Sequence, residues 1–171
     1  DCIGYNYRMS NILAGIGRGQ LKVLDKRVEA RRHIFETYQA ALSHLNVIDW
    51  MPESQDYYST RWLSVCILNP EKTDVRPEQC INYLAENNIE ARRAWNPMHQ
   101  QPVYHSNQYF RHVIDGKNFS VADYLFEYGV CLPSSSSLTK SQQKIIIDVI
   151  TRLFTSSKHH NINIPLKEAS L

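Results

Sequence analysis

The sequence is poor in features that would assign it to several common classes. Net charge is only +2, with a pI near 8.4. That is too mild for a chain built to grip nucleic acid or an anionic membrane surface. No apolar run approaches the ~18 residues of a membrane span, and no signal peptide is visible. The four cysteines, Cys2, Cys66, Cys80 and Cys131, form no C-x-x-C pair, which removes the zinc ribbon and the dithiol redox motif. All but Cys2 sit among apolar neighbours, as in Val65-Cys66-Ile67, and read as small buried thiols of a reduced, cytoplasmic protein. Nothing repeats at a period of ~20 to 50 residues. An initiator methionine is also missing. The chain opens at Asp1 and is already in a dense aromatic motif by Tyr5, so we expect a chain entered partway along a longer polypeptide.

What is present is enough for one domain with a core: 171 residues, 43% of them apolar. From Ser10 to about Leu42 the apolar residues Leu21, Leu24, Val28, Phe35, Tyr38 and Leu42 recur at helical spacings. The pattern predicts one long helix, N-capped by Ser10 or Asn11. Lys22, Lys26, Arg27, Arg31 and Arg32 read as its solvated face. A polar stretch over 49–60 precedes a strand over Arg61–Leu68, and a helix follows over Pro77–Asn87 with proline near its first position. Ile89–Trp95 reads as a second strand. The segment 96–118 reads as irregular, and loops of that length are uncommon unless functional. Ser120 with Asp123 forms a capping box for a helix that Gly129 ends as its C′ residue. Val130–Pro133 is a short strand. Thr139 with Gln142 caps the last helix, whose apolar residues include Ile146, Val149, Ile150 and Leu153. The sum is an α+β chain: a long N-terminal linking helix, then a small antiparallel or mixed sheet covered by helices. We divide it into 1–42, the linking helix with an interface motif, 43–155, the small α/β domain, and 156–171, a polar tail.

Two runs can carry chemistry. In Gly4-Tyr5-Asn6-Tyr7-Arg8-Met9-Ser10-Asn11 an asparagine and an arginine precede a helix start. Free N–H groups, the helix dipole and a forked guanidinium suit a phosphate there. The plainer reading is a capped helix start with aromatic packing. The second run, Arg92-Arg93-Ala94-Trp95-Asn96-Pro97-Met98-His99 continuing to Tyr104, sets paired arginines, a histidine and a tyrosine around two prolines. Such a loop suits a phosphorylated or polyhydroxylated ligand, or is simply structural. His99, His105 and His112 match no zinc spacing, so no metal is expected. Nothing in the sequence brings Cys131 to His99 as a nucleophile pair. Gly15, Gly17 and Gly19 follow no predicted strand, which argues against a dinucleotide loop and for close approach of another helix or subunit.

Taken in order, these runs resemble the DegT/DnrJ/StrS family of PLP-dependent sugar aminotransferases. The resemblance rests on Gly4 to Asn11 continuing through Ala14, Ile16-Gly17-Arg18 and Gln20-Leu21. It rests further on Ile89 to Arg93 with Pro97 to Pro102 and Tyr104, and on Leu132-Pro133-Ser134-Ser135 with Leu138-Thr139. It covers about Gly4 to Leu153 and implies the C-terminal domain of a fold-type I transferase. It also implies pyridoxal 5′-phosphate as cofactor, a homodimer with shared active sites, a nucleotide-linked keto sugar as substrate and a glutamate-type amino donor. Asn6 would reach the phosphate of the partner subunit's cofactor, Arg8 would support it, and His99 with Tyr104 would border the substrate. The Schiff-base lysine is expected upstream of Asp1. None of Lys22, Lys26, Lys72, Lys117, Lys140, Lys144, Lys158 or Lys167 lies in a matching motif, so the chain alone is expected to be inactive. Gly15 and Gly19 depart from the alanines usual in the family. A sugar dehydratase on the same scaffold, with histidine in place of the lysine, and a non-catalytic interaction module remain open alternatives.

Overall fold

The computed structural model describes residues 4–114 and 116–156. The N-terminal segment is extended until Ser10, whose Oγ accepts the N–H of Leu13 at 3.3 Å and starts helix α1 (Asn11–Leu21). Helix α2 (Leu24–Leu42) follows after a turn at Lys22–Val23. The single long helix expected from the periodicity is therefore two. No residue of α1 is buried, so packing supplies nothing to hold the two in register across Val23, a β-branched residue at φ −115° and ψ 2°. Leu21 and Leu24 of the expected apolar stripe are exposed. The buried residues of α2 are Ile34, Phe35, Tyr38 and Leu42.

A four-stranded antiparallel sheet carries the domain, in the order β1 (Ile48–Trp50), β2 (Ser64–Leu68), β6 (Gly129–Leu132), β3 (Arg92–Arg93). Between β2 and β3 lies α3 (Pro77–Glu86), with Pro77 at its first turn and Gln79 Oε1 accepting the N–H of Arg76 at 2.8 Å. Ahead of β6 come a hairpin of β4 (His112–Ile114) and β5 (Lys117–Phe119) and then α4 (Val121–Tyr128). Helix α5 (Lys140–Ser156) closes the described chain. Its start is a reciprocal box: Thr139 Oγ1 accepts the Gln142 N–H at 3.3 Å, and Gln142 Oε1 accepts the Thr139 N–H at 3.0 Å.

Helices α2, α3 and α5 share one core with the sheet. Tyr38 and Leu42 meet Cys66, Leu68, Leu84, Val130, Leu132, Val149, Ile150 and Leu153. Each large aliphatic side chain fully buried there is worth about 1.5–3 kcal/mol over its exposed state. Tyr38 also donates its hydroxyl to Pro133 O at 3.0 Å. Burial moves the Tyr38 phenol, and the Cys66 and Cys80 thiols, upward from their ordinary values.

Several expected boundaries shift. The strand expected over Arg61–Leu68 begins at Ser64, because Arg61 has φ +50° and breaks the extension. The one expected over Ile89–Trp95 reduces to Arg92–Arg93. The Ile89 N–H is taken by Leu84 O at 2.9 Å, leaving it to finish α3. The expected loop over 49–60 conceals β1, which pairs only through the distant β2. Gly129 is no left-handed cap: it has φ −85° and opens β6. A Cβ there would lie 2.2 Å from Leu125 O and 2.6 Å from Ala94 Cβ, so its glycine serves close approach of backbone. The expected close approach at Gly15, Gly17 and Gly19 is not made within the described residues, where nothing lies within 4 Å of a built Cβ. The expected polar tail, apart from Ser156, lies outside the described residues.

Candidate functional site

The N-terminal motif presents donors on an exposed, irregular segment leading into a helix. Asn6 Oδ1 accepts the N–H of Arg8 at 3.0 Å and faces its Nε at 3.5 Å. The Asn6 amide N–H groups and the rest of the Arg8 guanidinium have no partner among the described residues. Tyr5 and Tyr7, 75% and 90% exposed, stand 6.2 Å apart beside them. With the first N–H groups of α1 this is an all-donor set, and it matches the chemistry of a phosphate. The chemistry of these donors is therefore compatible with the phosphate of a PLP-type cofactor.

The loop after β3 is more ordered than the sequence suggests. It holds two short 3₁₀ turns, Met98–Gln100 and Pro102–Tyr104, each entered through proline. His99 Nε2 lies 2.8 Å from Asp123 Oδ1, which also accepts Gln100 Nε2 at 2.6 Å. The His99 ring stacks on Tyr109 with centroids 3.6 Å apart and an 11° interplanar angle. The Tyr109 hydroxyl bonds Ser120 Oγ at 2.7 Å, and Ser120 Oγ accepts the Asp123 N–H at 3.1 Å. Burial pushes the Asp123 carboxyl up. The hydrogen bonds from Ser120 and Gln100 and the neighbouring His99 outweigh that and hold it below its ordinary value. Tyr104 is exposed at the end of the second turn.

Reading the sequence missed this cluster. Ser120 and Asp123 were legible as a helix cap, but their second role needs the loop to fold back across 11 residues to Tyr109 and 23 to Gln100, which no local pattern encodes. The paired arginines are also committed elsewhere. Arg92 meets Glu90, while Arg93 pairs with Glu78, donates to Phe126 O at 2.9 Å and stacks over the Phe126 ring. Arg31 and Arg32, read as a solvated face, instead bind the chain. Arg31 donates to Trp62 O and Ser134 O, and Arg32 forms a bidentate pair with Glu53. The Cys131 thiol contacts Arg93 O at 3.7 Å, and burial raises it above its ordinary value. Among the described residues no group of three His, Cys, Asp or Glu is placed to hold a metal.

A cleft of about 730 Å³ lies between β3, β6 and the start of α5. Trp62 and Trp95, stacked with centroids 6.2 Å apart, line it together with Leu132, Pro133 and Ile146. None of Asn6, Arg8, His99 or Tyr104 lines it. No hydrogen bond, ion pair or ring contact joins Asn6 or Arg8 to His99 or Tyr104 among the described residues. The two motifs are thus separate within one chain.

This arrangement, a donor-bearing segment and helix leading into a small α+β domain, is that of an aminotransferase family. Over residues 1–151 the chain matches the DegT/DnrJ/EryC1/StrS aminotransferase family, and it belongs to it. It is 45% identical over 152 residues to EpsN of Bacillus subtilis (strain 168), provisionally named a pyridoxal phosphate-dependent aminotransferase, covering 89% of this chain and 38% of EpsN. It is 36% identical over 155 residues to the GDP-perosamine synthase of Escherichia coli O157:H7, covering 91% of this chain and 39% of that enzyme. In fold it is similar to PseC of Helicobacter pylori, an aminotransferase involved in the biosynthesis of pseudoaminic acid. The TM-score is 0.74 at 17% identity, over 91% of this chain and 40% of PseC. The chain spans about two-fifths of the length of the proteins it matches.

Proposed function

We propose that the chain is the C-terminal part of a PLP-dependent aminotransferase acting on a nucleotide-linked keto sugar. Family membership over 1–151 carries this reading. The donor set at Asn6 and Arg8 supports it, as do relatives that include GDP-perosamine synthases. The cofactor, when bound, supplies an electron sink for moving an amino group. Asn6 and Arg8 hold its phosphate across a homodimer interface, while His99 and Tyr104 border the sugar. Residues 1–42 serve as the interface and linking segment, and 43–155 as the small domain. The enzyme works in the cytoplasm with a glutamate-type donor. None of the chain's lysines lies in a cofactor motif, so the chain needs an upstream lysine-bearing part.

The test is amino transfer from glutamate to a GDP-linked keto sugar, with PLP present, for the chain and for the polypeptide its native gene encodes. Turnover by the longer polypeptide alone is expected. Turnover by the chain alone, or a native gene product no longer than this chain, overturns the reading.

A further inference from the structure

We infer that Asp123 is a positioning residue for His99, committing its Nε2–H and presenting Nδ1 as a hydrogen-bond acceptor to a hydroxyl of the substrate. The inference rests on the proposed sugar aminotransferase function and goes beyond it in naming the ring nitrogen, the residue that fixes it and the ligand chemistry.

A neutral imidazole has one donor and one acceptor nitrogen, and the partner of one sets the role of the other. His99 Nε2 stands 2.8 Å from the Asp123 carboxylate, an acceptor, so the proton is on Nε2. Nδ1 has no partner among the described residues. The ring is not free to flip the assignment. Tyr109 covers one face at 3.6 Å, and its hydroxyl is tied to Ser120 Oγ at 2.7 Å. Gln100 fixes the same Asp123 oxygen at 2.6 Å, and the Asp123 N–H is bound to Ser120. Three links from the loop thus converge on the first turn of α4, which lies against β2 and β6. The exposed nitrogen of such a ring accepts from a hydroxyl and repels a phosphate or carboxylate oxygen. His99 is therefore matched to the hexose of a nucleotide sugar and not to its diphosphate.

The first experiment is a long-range proton–nitrogen NMR spectrum of the histidine-labelled chain near neutral pH, with His99 assigned by its loss in H99Q. The expected spectrum shows Nε2 protonated and Nδ1 bare, a bias lost in D123A and kept in D123N, whose amide oxygen still accepts. A proton on Nδ1, on both nitrogens, or a spectrum unmoved by D123A overturns the proposal. The second uses the full-length polypeptide that carries this chain. H99Q and D123A should each raise KM for the keto sugar nucleotide roughly 5- to 10-fold, the effect of one lost hydrogen bond. kcat should be nearly unchanged, D123N should stay near wild type, and the double variant should be no worse than either single one. Equal losses in kcat for D123A and D123N, or additive losses in the double variant, overturn it. A wild-type polypeptide with no amino transfer removes the proposed function and the sugar hydroxyl with it, while the NMR result still decides the His99–Asp123 pairing.

Discussion

The guanidinium of Arg32 on α2 meets the carboxylate of Glu53 in two parallel hydrogen bonds, Nη1–Oε1 at 2.8 Å and Nη2–Oε2 at 3.0 Å. Glu53 also accepts the Ser59 N–H at 2.5 Å and faces Arg61 Nη2 at 3.4 Å. Arg61 stacks on Phe35 with its charge 4.0 Å from the ring centroid and donates to Met51 O at 2.8 Å. One carboxylate therefore ties the loop between β1 and β2 to α2 and meets Arg61, whose φ of +50° turns the chain just ahead of Trp62 at the cleft.

That clamp gives a pH dependence with a definite sign. The Arg32 hydrogen bonds, then the Ser59 N–H, lower the Glu53 carboxyl from an ordinary 4.5 to about 2. A group whose folded value is depressed adds stability above its unfolded value and loses it as pH falls through the folded one. Denaturant unfolding should show a Glu53 contribution intact above pH 4.5 and eroded between 4.5 and about 2. E53Q should be less stable at neutral pH and should show a shallower acid slope over that interval.

Two glycine substitutions should act in opposite directions. G129A places a methyl group 2.2 Å from Leu125 O, a backbone atom with no rotamer to escape into. It should lower stability by about 1–3 kcal/mol, read from the denaturation midpoint. G15A meets nothing within 4 Å in α1. It should favour the helix by about 1 kcal/mol, read as slower amide exchange across Asn11–Leu21.

Thiol reactivity should follow depth. Burial holds Cys66 well above its ordinary value and pushes Cys80 up to about 12, so neither supplies thiolate at neutral pH. Ellman's reagent should label both only as fast as the chain unfolds. Cys131, less deeply placed, should react ahead of them.

The N-terminal helix should drive association. Ile12, Leu13, Ile16 and Leu21 are 76%, 58%, 57% and 68% exposed, a concentration of apolar surface that soluble monomers seldom leave open. Sedimentation velocity should show the chain self-associating as its concentration rises. I12E with I16E should shift it towards the monomer without altering the melting of the sheet domain.

Much of the architecture was legible because it is encoded locally. Ser10, Thr139 with Gln142, and Pro77 marked three helix starts from spacing and side-chain chemistry alone, since a cap is satisfied within about one turn. The apolar periods of α3 and α5 carried over to buried faces containing Leu84 and Leu153. The donor motif at Asn6 and Arg8 and the loop around His99 were likewise visible as residue types in order.

What only the tertiary structure decided are the relationships that cross sequence distance. β1 is three residues long and is a strand only because Leu68, Ile67 and Cys66 lie opposite it. Gly129 reads as a helix stop, yet its lack of a side chain is required by Leu125 and Ala94. The break at Val23 depends on the absence of any buried face on α1, a property of what packs and not of the periodicity. Arg31 and Arg32 looked like surface charge and Arg93 like part of a ligand loop, and all three proved to be ties, because a guanidinium's partners are fixed by the fold. The sequence by itself determined where α1, α3, α4 and α5 begin and which family the chain resembles. Folding alone determined that His99 would meet Asp123, since a pair of side chains 24 residues apart acquires a geometry only when the loop and the helix are packed together.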